Sequence, residues 1–113
     1  MREANTLADT PSNVKITVLR CFRPEEVFKV PPVKAKYSGA CDAFEEGQEF
    51  IIAKEGYIVK PEGFCTSAWD SIFWGVMALR SNADFLEWYE EPGVAIWSCP
   101  DGLRPVIFRL ERV

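Results

Sequence analysis

One stretch of the chain repeats apolar residues at helical spacing, and it stands between segments that alternate as strands do. Trp69, Ile72, Phe73, Val76 and Leu79 recur three and four residues apart, which predicts one face of a helix starting just after Cys65. Ahead of it, Val14-Lys15-Ile16-Thr17-Val18-Leu19-Arg20-Cys21 is rich in β-branched residues and sets Val14, Ile16 and Val18 on one side of a strand. After it, Val94 to Cys99 and Arg104 to Arg112 are strand-like runs joined by Pro100-Asp101-Gly102, the composition of a hairpin turn. In the last run Val106, Phe108 and Leu110 point inward, and Ile107, Arg109 and Glu111 outward. A helix among strands that turn back on themselves is an α+β pattern: a small, mainly antiparallel sheet or partial barrel with one main helix and a short second helix.

The other elements follow from punctuation. Phe44 to Ile52 reads as a turn on Gly47 feeding a second strand, and Gly56 to Pro61 as a short third one. Ser67 and Asp70 stand in the S-x-x-D relation of a capping box, and Gly75 permits close packing of the helix. Phe85 to Glu90 is expected to form a short second helix that Pro92-Gly93 ends. Pro24 can open another, because proline suits a first turn and Glu25 and Glu26 suit its N-terminal end, with Pro31-Pro32 as the stop. Residues 1–12 are expected to be a disordered tail and residues 13–113 a single domain, since 113 residues suffice for one core and not for two.

The chain has no histidine. That removes serine or cysteine nucleophiles with a histidine base, and histidine metal sites, within one chain. Acid–base work falls to Asp, Glu, Lys, Tyr, Cys or a bound cofactor. The net charge of −4 argues against a nucleic-acid partner, and the basic run Lys29 to Lys36, interrupted by Pro31 and Pro32, reads as a solvated loop. No apolar stretch is long enough for a membrane span, and residues 1–13 lack the apolar core of a secretory signal. A cytoplasmic, reduced protein is the expectation, with its four cysteines free.

Cys65 lies where a glycine turn hands over to the helix. With Thr66 or Ser67 as N-cap, unpaired backbone N–H groups and the positive dipole end favour an anion nearby, and a thiolate is one. The competing reading is a small buried hydrophobe, a common fate of cysteine. In Cys99-Pro100-Asp101-Gly102-Leu103-Arg104-Pro105 the aspartate suits the turn itself, while Arg104 needs a partner, either Asp101 or an anionic ligand. Cys41, Cys65 and Cys99 could together hold zinc or an iron–sulfur cluster, although no C-x-x-C pair supplies a local chelate. Cys65 with Cys41 or Cys99 could instead form a redox pair. Trp74 and Trp88-Tyr89 add apolar surface beyond the core face of Trp69 and Phe73, suggesting a pocket wall or a subunit interface.

Three motifs together, G-F-C-x-x-A-W at Gly63 to Trp69, F-x-x-G-x-x-F at Phe44 to Phe50 and C-x-D-G-L-R-P-V at Cys99 to Val106, resemble an uncharacterised family. It consists of small single-domain proteins of anaerobic bacteria, archaea and some fungi. The resemblance spans Val14 to the C-terminus. It implies that Cys41, Cys65, Cys99, Asp101 and Arg104 act as one shared site, and it names no reaction. Cys21 matches no family cysteine, and Ser98 stands where many relatives carry a second cysteine.

The expectation is a protein that binds a small anionic molecule or cofactor, and could be a thiol-dependent enzyme. Cys65 would be the activated thiol, Asp101 the orienting carboxylate or proton acceptor and Arg104 the anion anchor. Cys99, Trp69 and Tyr37 would contribute to the pocket. The alternatives are a metal or iron–sulfur protein built on Cys41, Cys65 and Cys99, and a non-catalytic homo-oligomeric interaction module.

Overall fold

The computed structural model describes residues 10–113. Its elements are β1 (Val14–Cys21), α1 (Pro24–Val27), β2 (Glu49–Ile52), α2 (Thr66–Arg80), β3 (Val94–Ser98) and β4 (Val106–Arg112). The strands form one open sheet in the order β2-β1-β4-β3 with every neighbouring pair antiparallel, so the fold is α+β and the sheet does not close into a barrel. The first and last strands make its central pair, with a register shift between Val18 and Arg20.

Register explains which face is apolar. Ile16 lies opposite Leu110 and Val18 opposite Phe108, while Phe50 pairs with Ile16 and Ala95 with Leu110. Side chains alternate along each strand, so these residues share one face. Onto it α2 packs Ala68, Trp69, Ile72, Gly75, Val76 and Leu79, all buried. Burying each large aliphatic or aromatic side chain there contributes about 1.5–3 kcal/mol. Gly75 sets the spacing: a Cβ at this position would stand 2.9 Å from both Leu110 Cδ1 and Trp97 Cε2. At the helix N-terminal end, Phe64 packs against Phe44 with ring centroids 4.9 Å apart, and Phe108 lies 5.2 Å from Phe44.

The opposite face is solvated. Lys15 lies 3.5 Å from Glu49 and 3.5 Å from Glu111 across neighbouring strands, surface pairs of small individual worth. The edge strand β3 is closed at one point by a side chain. The Tyr89 hydroxyl accepts the Ile96 N–H at 3.2 Å and donates to the Ile96 carbonyl at 3.2 Å.

The two ends of α2 are held differently. At its C-terminus Asn82 takes a left-handed φ of 67°, the Asn82 N–H donates to the Leu79 carbonyl at 3.0 Å and the Ala83 N–H to the Ala78 carbonyl at 2.9 Å. That is a Schellman ending with asparagine in place of glycine. Arg80 donates from Nε to the Ala53 carbonyl at 2.9 Å and from Nη2 to the Lys54 carbonyl at 2.8 Å. Arg112 Nη1 donates to the Leu79 carbonyl at 3.2 Å, and the Ser12 N–H to the Arg80 carbonyl at 2.9 Å. At the N-terminus Cys65 is the N-cap, and its side chain makes no capping hydrogen bond.

Several expectations are corrected. The N-cap is Cys65 rather than Thr66 or Ser67, so the Ser67–Asp70 capping box is not formed. Residues 56–61 are irregular rather than a third strand, with Gly56 at a positive φ. Phe85 to Glu90 makes a single turn, its Tyr89 N–H reaching the Phe85 carbonyl at 3.0 Å, and the short helix of the fold is α1 instead. The expected tail lies mostly outside the described residues, but Ser12 is tied to Arg80 and, through Oγ, to Asn82 Oδ1 at 2.6 Å.

Candidate functional site

The turn before α2 explains the glycine that precedes its cysteine. The Phe64 N–H donates to the Pro61 carbonyl at 3.1 Å, and Gly63 sits at φ 78°, a conformation that glycine adopts without steric cost. The reversal buries Phe64 in the core and leaves Cys65, the next residue, half-buried at the helix start. Cys65 faces a cavity of about 330 Å3 that is also lined by Cys41, Cys99, Asp101 and Arg104. These residues come from the helix start, the β3–β4 loop and the segment after α1, so three separate parts of the chain build one site. Phe44, Ala68 and Val106 supply an apolar floor.

Each polar member has a defined attachment. The Cys99 N–H donates to the Val106 carbonyl at 3.0 Å, and the Val106 N–H donates back to the Cys99 sulfur at 3.2 Å, which fixes the direction of that side chain. Asp101 Oδ1 accepts the Leu103 N–H at 2.9 Å and the Arg104 N–H at 3.1 Å, the Asx arrangement its Asp-Gly setting leads one to expect. The Arg104 side chain does not pair with Asp101. It donates from Nε to the Gly39 carbonyl at 2.7 Å and from Nη2 to the Ala40 carbonyl at 2.7 Å, and its guanidinium carbon lies 5.5 Å from the Tyr37 ring centroid. Arg104 pairs with no carboxylate among the described residues, so its charge is positioned without being neutralised.

The two aromatic candidates fall elsewhere. Trp69 is in the core against Phe64 and Phe73, away from the cavity wall. Tyr37 lines a second cavity, of about 650 Å3, that shares Arg104 with the first. Lys36 lines that second cavity too, although its sequence context reads as a solvated loop. The one signal that could have found it is Arg104, an arginine seeking partners.

Cys21 lies close to the group without lining the cavity. Its thiol is pushed up from the ordinary range mainly by burial, then by the Glu46 carboxylate and the Cys41 and Cys99 sulfurs. Its Sγ reaches the Phe44 carbonyl at 3.8 Å. All four cysteines are free. Among the described residues no three Cys, Asp or Glu side chains form a group able to hold a metal ion, although Cys41, Cys65 and Cys99 share a cavity. No helix among those residues is long and apolar enough to cross a membrane. No protein-family model, curated protein or solved structure matches the chain, and the family resemblance carried by its three motifs stands on those residues alone.

Proposed function

We propose that this protein binds a small anionic molecule in the cysteine cavity and presents sulfur to it. The observation that carries the reading is the meeting of Cys41, Cys65 and Cys99 with an unneutralised Arg104 around one apolar-floored cavity. A guanidinium in such a setting offers a charge-assisted hydrogen bond to carboxylate or phosphate. Arg104 keeps Nη1 for this purpose, since the bonds to Gly39 and Ala40 use Nε and Nη2. Asp101, with Oδ1 committed to the turn, retains Oδ2 to orient the ligand or accept a proton. Cys65, at the helix start and without a capping bond, is the sulfur assigned to act as a nucleophile on the bound molecule.

Alkylation by anionic haloacetate and neutral haloacetamide, mapped by peptide mass, tests the proposal. Cys65 should prefer the anionic reagent, relative to the unfolded chain, by roughly tenfold, the value of about 1.4 kcal/mol from one guanidinium contact. That preference should vanish in Arg104→Gln. An equal ratio in folded and unfolded protein removes the reading.

A second reading, self-association through exposed aromatics, is supported by Trp88, 72% exposed and stacked on Phe85, and by Trp74, 64% exposed. Sizing across a concentration series tests it, and a strict monomer ends it.

A further inference from the structure

Two cavities meet at Arg104, and the larger one contains a feature that the sulfur site does not use. Lys36 Nζ lies 5.9 Å from the Tyr37 ring centroid, and the Arg104 guanidinium carbon lies 5.5 Å from the same centroid. One tyrosine ring therefore carries two cations in the wall of a cavity of about 650 Å3. Neither cation is paired with a carboxylate among the described residues, and Asp42, which also lines the cavity, pairs with neither. Two cations on the lining of one cavity, neither of them directly paired with a carboxylate, together attract a multiply charged anion. The Arg104 fork secures the loop through the Gly39 and Ala40 carbonyls, whereas Lys36 makes no hydrogen bond or ion pair among the described residues that would hold it.

We infer that the Lys36–Tyr37–Arg104 cavity is a phosphate subsite, and that the natural ligand is a two-part molecule. Its phosphoryl end sits between Lys36 and Arg104, and its apolar, sulfur-reactive end passes Arg104 into the cavity of Cys41, Cys65 and Cys99. This deepens the proposed function and rests on it, since the second half of the molecule occupies the cavity assigned there. The division matches the walls: cationic and polar around Lys36, Tyr37 and Ser38, and apolar around Phe44, Ala68 and Val106. A dianionic phosphoryl group suits two separate cations better than a single carboxylate does.

The test uses ω-iodoalkyl phosphates of increasing chain length on the full chain, with neutral ω-iodoalkanols of the same lengths as controls. Cysteine sulfur attacks the terminal carbon, the S–C bond forms as C–I breaks, iodide leaves with the electron pair and the thiol proton passes to solvent. The readout is the rate of modification of Cys41, Cys65 and Cys99 in the wild type, Lys36→Gln and Arg104→Gln. Lys36 is exposed on a loop, so its replacement should leave the fold intact. The expected result is a phosphate advantage of about tenfold that peaks at a chain long enough to bridge both cavities. Lys36→Gln should cut that peak at least severalfold and leave the shortest reagents unchanged. An advantage that needs Arg104 at every length and never Lys36 overturns the two-part site while the proposed function stands. No advantage at any length in the wild type overturns both.

Discussion

Arg104 Nε lies 2.7 Å from the carbonyl oxygen of Gly39, a residue 65 positions earlier in the chain. With the matching bond from Nη2 to the Ala40 carbonyl, the guanidinium fork joins the β3–β4 loop to the segment after α1. Lysine has the charge but not the fork, so Arg104→Lys should release the segment around residues 39–40. Hydrogen bonds of this kind at a half-exposed site are worth about 1 kcal/mol. Amide exchange across residues 36–42 should therefore speed up about fivefold, with the core strands unchanged. Exchange as slow as in the wild type would show that other contacts hold the loop.

Gly75 predicts a cost of the opposite kind, from added rather than lost atoms. A Cβ there would meet Leu110 Cδ1 and Trp97 Cε2 at 2.9 Å, closer than side chains tolerate. Gly75→Ala gains up to about 1 kcal/mol of helix propensity, yet overpacking of a filled core costs about 1–3 kcal/mol. A net loss of about 1–2 kcal/mol should appear as a lower urea midpoint with an unchanged slope. A raised midpoint would mean that α2 can lift off the sheet.

Tyr89 closes the β3 edge at Ile96, covering one N–H and one carbonyl that would otherwise be open to another strand. Tyr89→Phe keeps the ring and removes the hydroxyl. Stability should fall by only about 0.5–1 kcal/mol, but light scattering should reveal association at high concentration. A monomeric variant would show that the β3 edge is guarded by something else.

Asp84 should make stability depend on acid. Its carboxyl is held below the usual carboxylate range, chiefly by the side-chain hydrogen bond from Arg112, with help from the Gly93 N–H at 2.7 Å. A carboxylate whose folded pKa is depressed stabilises the fold in full above its unfolded value, near 3.8, and loses that contribution as pH falls through the folded value. Asp84→Asn should therefore be less stable than wild type near neutral pH, and the two denaturation midpoints should converge as the pH falls below 3.8 and through the lowered folded value. A gap that stays constant across that range would assign the effect to packing.

Periodicity located β1, α2 and β4, because each buries one face and so writes its spacing into the sequence. The turn residues Gly47 and Pro100-Asp101-Gly102 marked β2 and the β3–β4 hairpin. The failures occurred where a side chain outcompeted a local pattern. Phe85 to Glu90 has helical composition, but Tyr89 is drawn to the edge of β3 and the segment stops after a turn. The supposed capping box at Ser67 and Asp70 lost to a helix that starts one residue earlier, at Cys65. The cysteine, aspartate and arginine positions do share a cavity, whereas Trp69 was spent on the core and Lys36 went unnoticed. No local spacing could disclose Lys36, since its relation to Arg104 exists only once distant parts of the chain are folded together.

The uneven anchoring of α2 bears on what holds the cysteine cavity in shape. Arg80, Asn82, Arg112 and Ser12 clamp the far end of the helix to the strands and to the entering chain. The end that carries Cys65 has no comparable fastening through its cap. That end is set by packing instead: Phe64, Ala68 and Trp69 are buried in the core, and Ser71 Oγ donates to the Ser98 carbonyl at 2.7 Å. The placement of the Cys65 sulfur therefore depends on a wedge of aromatic rings rather than on polar clamps.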